Sequence, residues 1–260
     1  MKISCFLLAF FIGLPGVASA FDISGLQPVA PYGVFSTFSA ESLPKNKGAL
    51  EIGVEKSKDP SFYRFRLSGA YGISDSLEFN ITAPYVYDFG GSTDGMEDIA
   101  LGFKHRFYEE GKYGPSLAYM LTVSVNNGRE EFSTSGRFGA GLILSKRVGP
   151  FKGHMNLFYE RPGTGRLGGE FTVLGGIEFS AHHSFKLLAE VIAQRSHMSN
   201  HYDHVETRFG YRIKATDYLY TTLGVGLDLK KREPEYRVLL SVSIVSPPEK
   251  KPIRKIFEEE

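Results

Sequence analysis

The stretch Val205-Glu206-Thr207-Arg208-Phe209-Gly210-Tyr211-Arg212-Ile213-Lys214 sets the terms for the whole chain. Successive side chains of an extended strand point to opposite faces. One face of this run is therefore Val, Thr, Phe, Tyr and Ile, and the other is Glu, Arg, Gly, Arg and Lys. Similar runs of roughly ten residues recur about a dozen times between Lys47 and Val245, each followed by a Gly-, Asp-, Ser- or Pro-rich connector. Two architectures produce such alternation. A water-soluble sandwich packs its apolar faces together and turns its polar faces to water. An outer-membrane barrel turns its apolar face to lipid and its charged face inward.

The connectors separate the two. Reading strands over 47–56, 61–72, 76–86, 97–108, 115–126, 135–147, 152–160, 170–180, 184–195, 204–214, 218–230 and 235–246 gives about twelve. The connectors after even-numbered strands are short, as in Ile73-Ser74-Asp75, Val148-Gly149-Pro150 and Ala215-Thr216-Asp217. Those after odd-numbered strands are mostly longer and more polar: Asp88 to Met96, Asn127 to Ser133, Arg161 to Gly169 and Ser196 to Asp203. Short turns at one end and long loops at the other is the outer-membrane arrangement. The fold expected is all-β, a closed antiparallel transmembrane barrel of about twelve strands over 47–246, with a secreted β-sandwich binding or structural protein as the alternative.

The flanking segments agree with export. Lys2, the short apolar run Phe6 to Leu14 and Ala18-Ser19-Ala20 read as a signal peptide over 1–20. The one cysteine, Cys5, falls inside it, so a cleaved chain has no disulfide to form. Residues 21–46 carry Pro28, Pro31 and Pro44 and the aromatics Tyr32, Phe35 and Phe38. An aromatic cluster hanging free in water would be an exposed apolar patch, and such patches mark contacts. The segment reads as a short strand or turn packed on the barrel rim, as a plug entering the lumen, or as a periplasmic partner site. Residues 247–260 read as a charged periplasmic tail, which leaves the last strand without the usual terminal aromatic.

Composition narrows the function. Thirty Lys and Arg against 29 Asp and Glu leave a net charge of +1, so neither nucleic acid nor a basic membrane-surface patch is indicated. Twenty-one Phe and 14 Tyr are more than a soluble exported sandwich needs, and suit the two lipid–water boundaries of a barrel. The inward faces gather charges of both signs. The lumen-lining set is Glu51, Arg64, Arg66, Glu78, Asp98, Lys104, Arg106, Arg137, Glu178, Lys186, Glu190, Glu206, Arg208, Arg212, Asp228 and Arg237. These read either as a polar conduction path or as paired charges that fill the barrel, since lone buried charges are costly. Twelve strands fall between side-chain-filled small barrels and open porins, so a narrow or gated lumen is expected.

Two blocks carry a resemblance. Tyr71-Gly72-Ile73-Ser74-Asp75-Ser76-Leu77-Glu78-Phe79 with Pro84-Tyr85-Val86, and Gly95-Met96-Glu97-Asp98-Ile99-Ala100-Leu101-Gly102-Phe103-Lys104-His105-Arg106-Phe107, resemble hairpin and strand motifs of the MetA-pathway phenol-degradation-like family of outer-membrane barrels and transporters. The resemblance is sharp over roughly Tyr71 to Val125. It implies an outer-membrane channel for small, hydrophobic or aromatic solutes, and supplies no catalytic residues.

The functional expectation is therefore a channel or transporter in the outer membrane. Its partners would be outer-membrane lipids, the outer-membrane assembly machinery and a small-molecule solute. No cofactor, metal or catalytic residue is assigned. The enzyme alternative is an outer-membrane lipid hydrolase built on His197 and Ser199, since a serine nucleophile needs a histidine base within reach. His197, His201, Asp203 and His204 have ligand chemistry, but their spacing matches no recognised metal motif.

Overall fold

The computed structural model describes residues 25–58, 60–164, 167–195, 204–230 and 236–247. The strands are β1 (Gly48–Ser57), β2 (Phe62–Gly72), β3 (Leu77–Phe89), β4 (Thr93–Met96), β5 (Ile99–Tyr108), β6 (Ser116–Val125), β7 (Arg137–Val148), β8 (Phe151–Pro162), β9 (Glu170–His182), β10 (Phe185–Arg195), β11 (His204–Lys214), β12 (Leu219–Asp228) and β13 (Tyr236–Val245). All pairings are antiparallel between neighbours. β1 pairs with β13 and with β2, and β2 pairs with β3, which closes the sheet. The short β4 and β5 both pair with β3 and together act as one stave, so the barrel has twelve staves. Among the described residues closure leaves none of the twelve staves at a free edge, the condition for spanning hydrocarbon with sheet. It also overturns the sandwich reading.

Alternation sets which side chains face out. Ile52, Leu67, Ile81, Phe103, Leu121, Leu142, Ile177, Val191 and Leu240 form an exposed apolar belt around the middle of the barrel. Aromatics flank it. Tyr63, Tyr87, Tyr159 and Tyr236 lie toward the long loops, and Tyr71, Phe107, Phe151 and Tyr218 toward the short turns. Such girdles sit at the two lipid–water boundaries of outer-membrane barrels. His105 and Lys146 are the exceptions expected on the outward face, and both lie near the short-turn end. His105 packs edge-on against Tyr119, with ring centroids 5.2 Å apart. Lys146 curls back to donate to the Gly111 carbonyl at 2.7 Å, as a snorkelling lysine does.

The third connector differs from its sequence reading. Asp88 to Met96 is not wholly loop, because β3 runs on to Phe89 and returns as β4 through a turn with positive φ at Asp88, Gly90 and Gly91. The strand expected over 97–108 begins at Ile99 instead. Glu97 and Asp98 interrupt the stave, and both side chains are buried.

Candidate functional site: the barrel interior

Residues 25–43 lie inside the barrel, and Pro44 to Asn46 are exposed at its short-turn end. From β1 the chain turns at the short-turn end, where the Asn46 amide donates to the Gly72 carbonyl at 2.8 Å. It then runs through the interior. At Gly25 it reaches Arg137, the first residue of β7, where Nη2 comes within 3.1 Å of the position a Gly25 side chain would take. The middle of the segment is a tight hairpin: the Val34 amide donates to the Thr37 carbonyl at 2.9 Å and the Ser39 amide to the Tyr32 carbonyl at 3.0 Å.

An irregular chain within a barrel must have its backbone polar groups met by the wall. Glu190 of β10 does most. One carboxylate oxygen accepts the amides of Phe35 (3.2 Å), Ser36 (2.8 Å) and Thr37 (2.7 Å) and the Thr37 hydroxyl (2.7 Å). Three successive N–H groups converging on one anion form a backbone nest. Asn156 of β8 bonds Phe38 twice, accepting its amide at 2.6 Å and donating to its carbonyl at 2.9 Å. Arg212 donates to the carbonyls of Gly33 and Val34, both at 2.9 Å. Lys104 donates to those of Ser39 (3.2 Å) and Glu41 (2.7 Å). The Leu43 amide donates to Glu78 at 2.7 Å, the Ala30 amide to Glu51 at 3.1 Å and the Ala40 amide to Ser145 at 2.8 Å.

Apolar contacts follow the same route. Leu26, Phe38 and Ala40 pack with Ala100, Ala118, Met120 and Ile143 of the wall, with Phe158 alongside. Val34 and Phe35 pack on Leu188, and Tyr32 joins the cluster of Val29, Leu43, Ala49, Ala70 and Val245. Inward glycines seat these side chains. A Cβ on Gly224 would stand 2.5 Å from the Phe35 ring, one on Gly176 2.7 Å from Val34, and one on Gly102 would overlap the Leu26 side chain.

The charges of the interior are paired. One network runs around the wall: Glu97–Arg64 (2.6 Å), Arg64–Glu55 (3.3 Å), Glu55–Arg237 (3.3 Å), Arg237–Glu206 (3.5 Å), then Glu206–Arg208 and Arg208–Glu190 (3.6 Å). Arg208 also donates to the Ser36 hydroxyl at 2.7 Å. Asp228 joins through His204, which lies 3.4 Å from it and 3.3 Å from Glu206. A second group gathers on Glu178, with Lys186, His154 at 3.3 Å and Arg212 at 4.0 Å. Lys104 pairs with Glu78 at 2.9 Å, Arg66 with Glu51 at 3.3 Å, and Arg137 with Glu160 (3.1 Å) and Glu170 (3.5 Å). Glu41, on the inner segment, pairs with Lys152 at 2.6 Å. Burial pushes the Glu41 carboxyl up, but Lys152, helped by Arg147 and His154, outweighs it and holds the carboxyl below its ordinary value.

Three residues of the lumen-lining set stand apart from the rest. Asp98 is buried but serves the loop, accepting the amides of Gly128 (3.0 Å) and Thr134 (3.1 Å) and the Ser133 hydroxyl (2.7 Å). Arg106 sits at the short-turn rim, where it donates to the Asp75 carbonyl at 2.9 Å. Lys186 is partly exposed beside its own turn. The sequence reading missed Lys152, His154 and Asn156, although they occupy one face of the alternating run Lys152-Gly153-His154-Met155-Asn156-Leu157. It also missed Glu97, which alternation from Ile99 would have turned outward. His197, Ser199, His201 and Asp203 lie outside the described residues, as do the signal-peptide region and 248–260.

A closed antiparallel sheet, an apolar outer belt with aromatic girdles and a charged interior define a transmembrane β-barrel of the outer-membrane kind. Solved structures share the fold. The chain is similar to the COG4313 outer membrane channel from Pseudomonas putida F1, with 12% identity over 80% of this chain and 98% of that one and a TM-score of 0.60. It is similar to the NanC porin (9% identity, 75% and 98% covered, TM-score 0.59) and to the KdgM porin in complex with disordered oligogalacturonate (10%, 75% and 98%, 0.57). No protein-family model and no curated protein matches the chain.

Proposed function

We propose that the protein is an outer-membrane channel for a small solute, and that residues 25–46 are a plug that holds it shut. The single observation that carries this is the seating of that segment. Its amides and carbonyls are bonded to Glu51, Glu78, Lys104, Ser145, Asn156, Glu190 and Arg212, side chains from seven different strands. A barrel filled only for stability needs no chain threaded through it, because side chains alone can fill a narrow lumen. The apolar belt supports outer-membrane lipids, and the assembly machinery that inserts such barrels, as its partners. The Tyr71–Phe79 and Gly95–Phe107 blocks, in their resemblance to the MetA-pathway phenol-degradation-like family, favour hydrophobic or aromatic solutes. The fold shared with an outer membrane channel and with porins supports passage of small solutes in general.

The test is conductance in planar bilayers together with liposome swelling in graded sugars, amino acids and aromatic acids. Deleting residues 21–40 while keeping the leader should leave an assembled, heat-modifiable barrel with raised conductance. An assembled barrel whose conductance does not change would refute the plug. Failure to assemble would assign the segment a structural role instead.

A further inference from the structure

Between the inner segment and the long-loop end lies a cavity of about 90 Å³. Part of its surface is apolar, contributed by Leu26, Phe38, Phe158, Leu174 and Ile192, and the rest carries charged and amide side chains that include Arg64, Arg66, Arg137 and Arg208. The four arginines are not equivalent. Arg64 is held by Glu97 and Glu55, and Arg208 by Glu206 and the Ser36 hydroxyl. Arg137 sits between two carboxylates, Glu160 and Glu170, so an added anion there would meet two like charges.

Arg66 differs. A guanidinium carries five N–H donors in a fixed planar fork. Among the described residues its guanidinium makes one hydrogen bond, from Nη2 to Glu51 at 3.3 Å, and its buried Nε, like that of Arg137, has no partner; unlike Arg137 it is paired with a single carboxylate. Glu51 in turn is shared with the Ser243 hydroxyl at 2.6 Å and the Ala30 amide at 3.1 Å. The side chain is only 11% exposed, so bulk water does little to satisfy the remaining donors. A guanidinium of this kind beside a cavity suits a planar oxyanion that can take two parallel N–H bonds.

We propose that this cavity binds a small monocarboxylate with a compact apolar body, the carboxylate lying on the Arg66 fork and the body against Leu26, Phe38 and Phe158. The proposal rests on the reading of the interior as a solute path and names the class of solute that path would take. Size limits the class. A water needs about 10–15 Å³ of such space, so the cavity has room for roughly six to nine non-hydrogen atoms. Benzoate and valerate fall within that range, and pentoses and hexoses do not. The combination also joins a charged interior to an aromatic or aliphatic solute. The charge of the solute meets Arg66 while its body avoids the acids, each of which already has a cationic or hydroxyl partner.

The test is calorimetric titration of the detergent-solubilised, full-length protein at neutral pH with benzoate, valerate, benzyl alcohol and benzylamine. Benzoate and valerate should bind saturably, with the alcohol and the amine at least tenfold weaker. In R66Q, verified as folded by heat-modifiable mobility, benzoate affinity should fall at least tenfold. Should R66Q not fold, R66K keeps the charge but loses the planar fork, and should still weaken benzoate severalfold. Absence of saturable benzoate binding to the folded wild type, unchanged affinity in the folded arginine variant, or tighter binding of benzylamine would overturn the proposal. A barrel that conducts but does not bind benzoate sinks this inference and leaves the channel standing. Binding without conduction keeps the site and sinks the channel.

Discussion

Replacing Glu190 with alanine removes the acceptor that the hairpin of the inner segment is folded around. Three amides, of Phe35, Ser36 and Thr37, and the Thr37 hydroxyl lose their partner at once. A buried N–H left unmet costs about 1–3 kcal/mol. Neighbouring losses are not additive and water can reach part of the gap, so the low end applies: about 3 kcal/mol in total for the three amides. Arg208 keeps Glu206 and Ser36, so no guanidinium is stranded. A shift of about 3 kcal/mol is roughly a hundredfold in the equilibrium between seated and unseated segment. Glu190→Gln keeps an acceptor oxygen but loses the charge assistance, a difference of about 1–1.5 kcal/mol or roughly tenfold. Single-channel recording should therefore show the open fraction rising in the order wild type, E190Q, E190A, with conductance per opening unchanged. Amide hydrogen exchange at Phe35 to Thr37 should quicken in the same order. An open fraction and exchange rates within twofold of wild type, in an E190A barrel that assembles normally, would refute both the seating energy and the gate.

Gly224→Val places a Cβ where the Phe35 ring now lies, 2.5 Å away, and should raise the open fraction; adding Phe35→Ala should restore closure, and a double-mutant cycle with no coupling would show that the contact carries no energy. Lys104→Met strands the buried Glu78 and should lower barrel stability by about 3–5 kcal/mol in urea unfolding, because removing one partner leaves an uncompensated charge. The Glu41–Lys152 pair should tether the segment at neutral pH and release it in acid. The Glu41 carboxyl is held below its ordinary 4.5, so its contribution is complete above that value and lost as pH falls through the lower folded value. Exchange at the Glu41 and Ser42 amides should gain an acid-dependent component that K152M lacks, and identical profiles for the two proteins would exclude the tether. Ile52→Arg, at mid-belt, should cost about 2–4 kcal/mol of folding stability in bilayers, and a loss below about 1 kcal/mol would place Ile52 away from the hydrocarbon centre.

The sequence by itself determined the barrel. Period-two alternation is a local property of the strand, so Val205 to Lys214 declares both of its faces without any knowledge of its neighbours. Loop parity is likewise a property of chain order, and it required an even number of staves. The inward placement of Arg64, Glu190, Glu206 and Arg212 came from the same rule. Where the rule lapses, so did the reading. Glu97 and Asp98 break the stave between β4 and β5, so alternation could not show that Glu97 turns inward to Arg64 while Asp98 turns to the loop.

Only the tertiary structure decided what fills the lumen. Residues 25–46 have no periodicity, and their aromatics fitted the rim, the lumen or a partner. The choice among these depends on partners far away in sequence: Glu190 on one side of the wall, Asn156 and Lys104 on others, and the bare backbone of Gly224 and Gly176. Each contact joins residues separated by tens to well over a hundred positions, and closure of the sheet is what brings them within 3 Å of one irregular chain. A local pattern reports which face a side chain occupies. Which groups meet across the interior is set by the stagger of the staves around the closed barrel, and no single stretch of the chain encodes it.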